Sequence, residues 1–276
     1  IIYRFVPDSV TRRLGLETGL YDAIDMVLPD DVPSMSENED IAIIQGGDSG
    51  SIAVLFNKKE GISADADFRR AVSLIADRDV LMKACSGDYG YDTETCYMEP
   101  DQAEWHVMAS DPYGYEDDRE GMRLLEESSY DGRTVRILTS NLSNLDKIAL
   151  ALSAELEDAG MNTDVTVLDW ASFIEERKDP GKWDISVSAF TKVTLPQMKS
   201  YLSPSFPGWT ETDLLDQLYQ AGSEEEAASL WNDIQRKLWE DVPAMILGHY
   251  STIYAASSGI EGIIAGDGIY FWDASF

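Results

Sequence analysis

Carboxylates dominate the groups that could do chemistry in this chain. There are 51 Asp and Glu against 21 Lys and Arg, with two histidines and two cysteines. A Ser-His-Asp or Cys-His arrangement needs a positioned histidine, and the sequence offers His106 and His249. His106 sits beside Trp105 in a loop-like stretch, and His249 follows a strand-like run. Neither neighbours a G-x-S-x-G elbow, so both read as structural or exposed. Gly46-Gly47-Asp48-Ser49-Gly50 lacks the Gly-Lys-Ser/Thr ending of a phosphate loop and reads as a turn between strands. Glu116-Asp117-Asp118 and Glu224-Glu225-Glu226 suit helix N-termini, where negative charge complements the dipole. Glu37, Glu39 and Asp40 read as a solvated turn. Asp65 and Asp67 lack the twelve-residue pattern of a calcium loop. No carboxylate pair stands out as catalytic, and no cofactor is expected. Cys85 and Cys96, with ten residues between them, could form a disulfide in an oxidising compartment; two separate thiols is the alternative. The cysteine pair alone falls short of the four ligands of a structural zinc, and the chain has only His106 and His249 to add, so no metal is expected.

These residues must be positioned by alternating strand-like and helix-like segments. Short strands are expected at 4–6, 23–27, 41–45 and 52–56, with a helix over 9–17 capped by Ser9. Helical spacing of Phe68, Ala71, Val72 and Ile75 predicts a helix over 67–76, followed by another over 79–84. Residues 86–115, rich in Gly, Tyr, Asp and Pro, read as a long loop. Helices follow at 117–128, 145–159 and 170–177, interleaved with strands at 134–139, 163–168 and 184–190. Ser223 with Glu226 has capping-box spacing and opens a helix over 224–241 that Pro243 ends. Final strands are expected at 244–247 and 252–256. Strand–helix alternation of this kind argues for an α/β fold.

The charge balance is −30 with a pI near 4.1. A chain this acidic repels phosphate backbones and anionic membranes, so no nucleic-acid partner is expected. A hydrophobic fraction of 44% with 28 aromatic residues, from 7 Trp, 13 Tyr and 8 Phe, excludes disorder. The N-terminus, Ile1-Ile2-Tyr3-Arg4-Phe5-Val6-Pro7, reads as mid-strand rather than as a leader, and leads to the expectation of a piece of a longer protein.

Several blocks together carry a family resemblance. Phe56-Asn57, then Asp67-Phe68-Arg69-Arg70-Ala71-Val72, then Ala76-Asp77-Arg78-Asp79-Val80-Leu81 resembles the "FN…D-x-R-x-A…A-I-D-R-x-x-L" run of family 5 extracellular solute-binding proteins. These are the oligopeptide, dipeptide and nickel receptors of ABC importers. Leu124-Leu125-Glu126-Glu127 with Tyr130-Asp131-Gly132 is similar to "LL-x-E-A-G-Y-x-D-G". Leu156 with Ala159-Gly160-Met161, Val167-Leu168-Asp169-Trp170, Trp183-Asp184-Ile185 and Glu240-Asp241-Val242-Pro243 continue the match in order, and residues 19–25 precede it in register.

The resemblance implies a periplasmic-binding-protein type II-like two-lobed α/β fold, with one complete lobe and part of the other in this chain. It implies the later part of the large N-terminal lobe at 1–56, the second, ligand-binding lobe at 57–243 and a return segment at 244–276. It implies capture of a peptide or other small solute between lobes that close like a hinge, delivery to an ABC transporter membrane permease, a monomer, no bond made or broken, and a periplasmic or extracellular location with lipid anchoring ahead of residue 1. It places Trp170, Arg177, Phe190, Thr191, Lys192 and Val193 at the ligand. Peptide-binding members keep an aspartate for the peptide's ammonium after the aromatic, where this chain has Lys192 or Val193 and no acid from 190 to 196. An unpaired buried ammonium is costly, so the ligand is expected not to be held by a free amino end, and an anionic solute is expected if Lys192 faces it. The bland alternatives are Lys192 in solvent, Trp170 as core and Arg177 exposed. The same stretch offers no soft ligand for nickel. A cytoplasmic transcription regulator with this fold, and a hydrolase with scattered acids, are the competing functions.

Overall fold

The computed structural model describes residues 1–106, 111–202, 212–266 and 268–275. In chain order its elements are α1 (Ser9–Glu17), β1 (Ala23–Ile24), α2 (Val32–Ser36), β2 (Ile41–Phe56), α3 (Ala66–Ile75), α4 (Arg78–Ser86), α5 (Asp118–Glu127), β3 (Thr134–Ser140), α6 (Leu145–Asp158), β4 (Asn162–Leu168), α7 (Trp170–Glu176), β5 (Ile185–Thr191), α8 (Thr212–Gln220), α9 (Glu224–Asp241), β6 (Ala244–Ser257), β7 (Ile264–Ala265) and β8 (Ile269–Tyr270). The chain forms two compact units. One comprises residues 1–49, 86–91 and 250–276, the other residues 50–85 and 92–249. The strands β2 and β6 each contribute a stretch to both.

In the first unit, β1 pairs antiparallel with the end of β6, Ala23 opposite Ala256 and Ile24 opposite Ala255. Leu16, Ile24, Val27, Val32, Met35, Ile41, Ile253 and Ala255 form its core. The expected cap of α1 moves by one residue, because the Asp8 carboxylate, not Ser9, accepts from the Thr11 amide. The two strands expected on either side of Gly46-Gly47-Asp48-Ser49-Gly50 are one continuous strand, and so are the two expected within β6. A turn was inferred from the glycines, but at Gly46 they answer a close backbone approach. A Cβ there would lie 2.8 Å from the Gly266 carbonyl oxygen, and the neighbouring Gly47 amide donates to that oxygen. Residues 4–6 form no strand.

The second unit is built on a mixed sheet in the order β6-β2-β5-β3-β4. The β3–α6–β4 crossover makes β3 and β4 parallel, β3 also runs parallel to β5, and β5 pairs antiparallel with β2 from Gly50–Thr191 to Phe56–Ile185. Both faces of the central strands are covered, which explains why β2 ends in an unbroken apolar run rather than an alternating one. Trp231, Ile234 and Leu238 of α9, with Leu215 and Leu218 of α8, pack with Ala53, Leu55, Phe190 and Tyr201. Ile148, Leu152 and Leu156 of α6, and Phe68 and Val72 of α3, are fully buried. Helix starts use the abundant acids: Asp65, Asp117 and Asp169 cap α3, α5 and α7, while Ser223 caps α9 by accepting from the Glu226 amide.

Three polar residues of the run that resembles the family motif prove to be internal staples. Asn57 donates to the Pro180 and Trp183 carbonyls. Arg69, 1% exposed, donates to the carbonyls of Ser63, Ala64, Asp241 and Val242 and pairs with the Asp241 carboxylate at 2.7 Å. Arg78 donates to the carbonyls of Ser73, Tyr113 and Ile246. A guanidinium suits this work because its several N–H groups satisfy several carbonyls that end helices and turns.

Candidate ligand-binding site

The residues expected at the ligand lie at or just beyond the carboxyl ends of β4 and β5, which flank β3 and run parallel to it, the usual position of ligands in open α/β sheets. Trp170 opens α7 two residues beyond β4, placed there by Asp169, which accepts from the Ala171 and Ser172 amides. Its ring is 39% exposed and lies 5.5 Å from the buried Phe173 ring. Arg177 closes the same helix. Its guanidinium stands 5.0 Å over the same Phe173 ring and donates to the Ser188 hydroxyl of β5 at 3.2 Å. Burial lowers its pKa to about 10.

Phe190, two residues along β5 from Ser188 and on the same face, is buried and meets the Tyr201 ring edge-on at 5.0 Å. Thr191 is exposed at the strand's end, opposite Gly50. The Val193 side chain packs on the α9 cluster, and its carbonyl accepts from Gln102 Nε2 at 2.8 Å. Lys192 is neither bare toward solvent nor without an acid: its Nζ lies 2.5 Å from Asp101 Oδ2. A second pair from the same two segments, Glu99 and Lys199 at 2.5 Å, is fully buried. The sequence from 190 to 196 holds no acid, yet residues 99–101 bring two carboxylates to the 192–199 segment.

Glu99, Asp101 and Gln102 are not singled out by the sequence because 86–115 reads as a long loop, and Lys199 and Tyr201 lie in a stretch to which it assigns no element. The signal available was the apolar pair Tyr97-Met98 just ahead of Glu99, both of which are buried. The expected disulfide is corrected. Cys85 and Cys96 are not joined: the Cys85 thiol donates to the Ser143 carbonyl at 3.2 Å, and the Cys96 thiol lies 3.8 Å from Gln235 Oε1. A short sequence separation does not bring two buried thiols together when each is held by a different element. Among the described residues no group of three or more His, Cys, Asp or Glu is arranged to hold a metal ion. His249 faces Asp92 and the Cys96 carbonyl rather than a serine or thiol nucleophile. No helix among the described residues is long and apolar enough to cross a membrane.

Comparison with known proteins gives these features a family. The model of bacterial extracellular solute-binding proteins, family 5, middle region, matches residues 1–212. A probable peptide ABC transporter periplasmic-binding protein, y4tO of Sinorhizobium fredii, is 20% identical over 71% of this chain and 40% of its own length. The glutathione-binding protein GsiB of Pectobacterium atrosepticum is 23% identical over 95% of this chain and 54% of its own. A dipeptide-binding protein of Pseudoalteromonas sp. SM9913, solved with Met-Leu, superposes with a TM-score of 0.81 at 18% identity, covering 99% of this chain and 57% of that one. The chain thus spans about half the length of the relatives it matches, and its fold is that of the two-lobed periplasmic binding proteins. It belongs to the family 5 bacterial extracellular solute-binding proteins.

Proposed function

From membership of this family we propose that the whole protein is the extracytoplasmic solute-binding component of an ABC importer, capturing a peptide or other small solute without making or breaking a bond. The compact unit of residues 50–85 and 92–249 is then the family's second lobe. In this reading the protein is a monomer, is held at the membrane by a lipid anchor ahead of residue 1, and hands its solute to a membrane permease. The observation that carries the reading is the family match over residues 1–212, joined to the placement of Trp170 and Arg177 beyond β4 and of Phe190, Thr191, Lys192 and Val193 at the end of β5.

The Lys192–Asp101 pair changes what this site asks of a solute. With its charge answered inside the lobe, Lys192 gives no separate reason to require an anion. Arg177, desolvated over Phe173, is the cation proposed to meet a carboxylate or carbonyl of the solute. Calorimetry on the full-length protein, with short peptides, their amino-acetylated and amidated forms, and glutathione, tests both statements. Binding that survives acetylation but weakens on amidation supports Arg177 as the anchor. Arg177→Met should then weaken binding by at least roughly tenfold, the loss of one charge-assisted hydrogen bond. Failure of every peptide and glutathione to bind would remove the peptide reading, and unchanged affinity in Arg177→Met would remove Arg177 from the site.

A further inference from the structure

Both histidines of the chain grip the same seven-residue stretch, 92–98, in the same way. His249, 1% exposed near the middle of β6, has Nδ1 3.0 Å from Asp92 Oδ1 and Nε2 3.0 Å from the Cys96 carbonyl oxygen. His106 has Nε2 3.1 Å from Glu94 Oε2 and Nδ1 3.2 Å from the Met98 carbonyl oxygen. The segment thus offers carboxylates at 92 and 94 and carbonyls at 96 and 98, one of each to each ring.

All four oxygens can only accept while the acids are ionised. A neutral imidazole carries one N–H and one lone pair, so it satisfies one oxygen and turns a lone pair against the other. The imidazolium carries two N–H groups and satisfies both. We propose that residues 92–98 form a proton-binding clasp, held shut by two imidazolium ions and loosened when either ring loses its second proton.

The place of the clasp gives it consequences. Asp92 and His249 are the residues at which the chain passes between its two compact units, at 91/92 and 249/250. Their backbones are tied as well: the Asp92 amide donates to the His249 carbonyl, and the His249 amide to Asp92 Oδ1, each at 3.1 Å. A side chain at residue 248 would prevent this, since a Cβ on Gly248 would lie 1.9 Å from the Asp92 carbonyl oxygen. The stretch then runs directly into Glu99 and Asp101, which hold Lys199 and Lys192. Proton loss at the histidines would therefore reach the segment proposed above to meet the solute.

Other groups around the clasp set its limits. From α9 the segment meets Gln235 at Cys96 and Trp239 at Thr95, and neither ionises near neutral pH. Asp111 reaches Thr95, with Arg78 beside it, and the Cys96 thiol lies on the segment itself. Burial pushes the Asp92 carboxyl up, but the hydrogen bond and charge of His249 outweigh it, so the group sits below the ordinary carboxylate range. The sign follows. Asp92 contributes above the unfolded carboxylate value and loses its contribution as pH falls through its own lowered value. Each ring spans its two oxygens only while both of its nitrogens carry a proton.

Nitrogen-detected NMR of the two imidazoles in the intact chain, from about pH 5 to about pH 9, with amide hydrogen exchange on the same samples, tests the proposal. The expected result is two protons on each ring wherever amides in 92–98 are protected, and a rise in exchange of at least roughly tenfold that follows the imidazole titration. Glu94→Gln supplies an amide that can donate to neutral His106, so the pH dependence at 94–98 should shrink while that at His249 persists. A ring with a single proton while the segment stays protected, exchange that does not follow either imidazole, or an unchanged pH profile in Glu94→Gln would overturn the proposal. Glu94 is half-exposed, so this variant does not depend on rebuilding the core.

Discussion

Two places in the second unit handle carboxylates in opposite ways. In a cleft of about 560 Å³ at the ends of α3, α4, α5 and α6, the acids Asp77, Glu116, Asp118, Glu155 and Asp158 share one lining with Ile75, Val80 and Met122. Burial, and then the charges of Asp77, Glu116 and Asp118, push the Glu155 carboxyl up to about 7. Glu116 is raised for the same reasons, burial first and then its acidic neighbours. At 99–101, by contrast, each acid has a lysine, and the Glu99–Lys199 pair is taken wholly out of water. One region stores like charge and relieves it by holding protons; the other cancels charge and relies on both partners being present. A net charge of −30 is therefore no uniform property of the surface.

The largest expected effect comes from breaking the cancelled pair. Lys199→Met leaves Glu99 buried and uncompensated, with one of its oxygens already without a hydrogen-bond partner. Denaturant titration should show a loss of about 3–5 kcal/mol. Adding Glu99→Met should restore most of it, because two apolar groups carry no desolvation cost. If the double variant is as unstable as the single one, the pair is not what the stability rests on.

A smaller effect of opposite sign is expected in the cleft. Glu155 is ionised at pH 8 in both folded and unfolded chains, and only the folded chain bears the repulsion. The folded state takes up its proton as pH falls through about 7, while the unfolded one waits until about the ordinary glutamate value, so this group adds stability between those two points. Glu155→Gln should stabilise the chain at pH 8 by about 1 kcal/mol, after discounting for a group still partly solvated, and should change little at pH 5. Equal effects at both pH values would mean that the five acids do not repel one another. The smallest effect belongs to the outer pair: Asp101 is 45% exposed, and Asp101→Asn should cost less than about 1 kcal/mol and become negligible in high salt. A loss near that of Lys199→Met would place both lysine pairs in one buried unit and sharpen the contrast with the cleft.

The legibility of the molecule divides along the same line. Helices α3, α5, α6, α7 and α9 and strands β3, β4 and β5 were readable within a residue or two, because capping acids and apolar periodicity are local. Arg69, Arg78 and Asn57 stood out in the sequence as family motif residues, and their role as staples became visible only when the end of α9, strand β6 and the 180–183 segment met them. α8 was missed, and β2 and β6 were each split in two, since a glycine that admits a neighbouring backbone looks the same in sequence as a glycine that turns. Of the candidate site, the sequence offers Trp170, Arg177 and Phe190 as expectations, whereas Asp101 and Glu99, which pair with lysines of the 192–199 segment, are hidden in a stretch of turn-forming composition.

By itself the sequence determined the α/β alternation, the Ser223 cap of α9, the family and the segments that follow the parallel strands, all of which rest on short-range spacing. Only the tertiary structure decided which charges meet. It kept Cys85 from Cys96, gave Lys192 and Lys199 their acids, crowded five carboxylates into one cleft and set both histidines on residues 92–98. Charge interactions depend on distance and desolvation in space, and neither quantity is written in the order of residues along the chain.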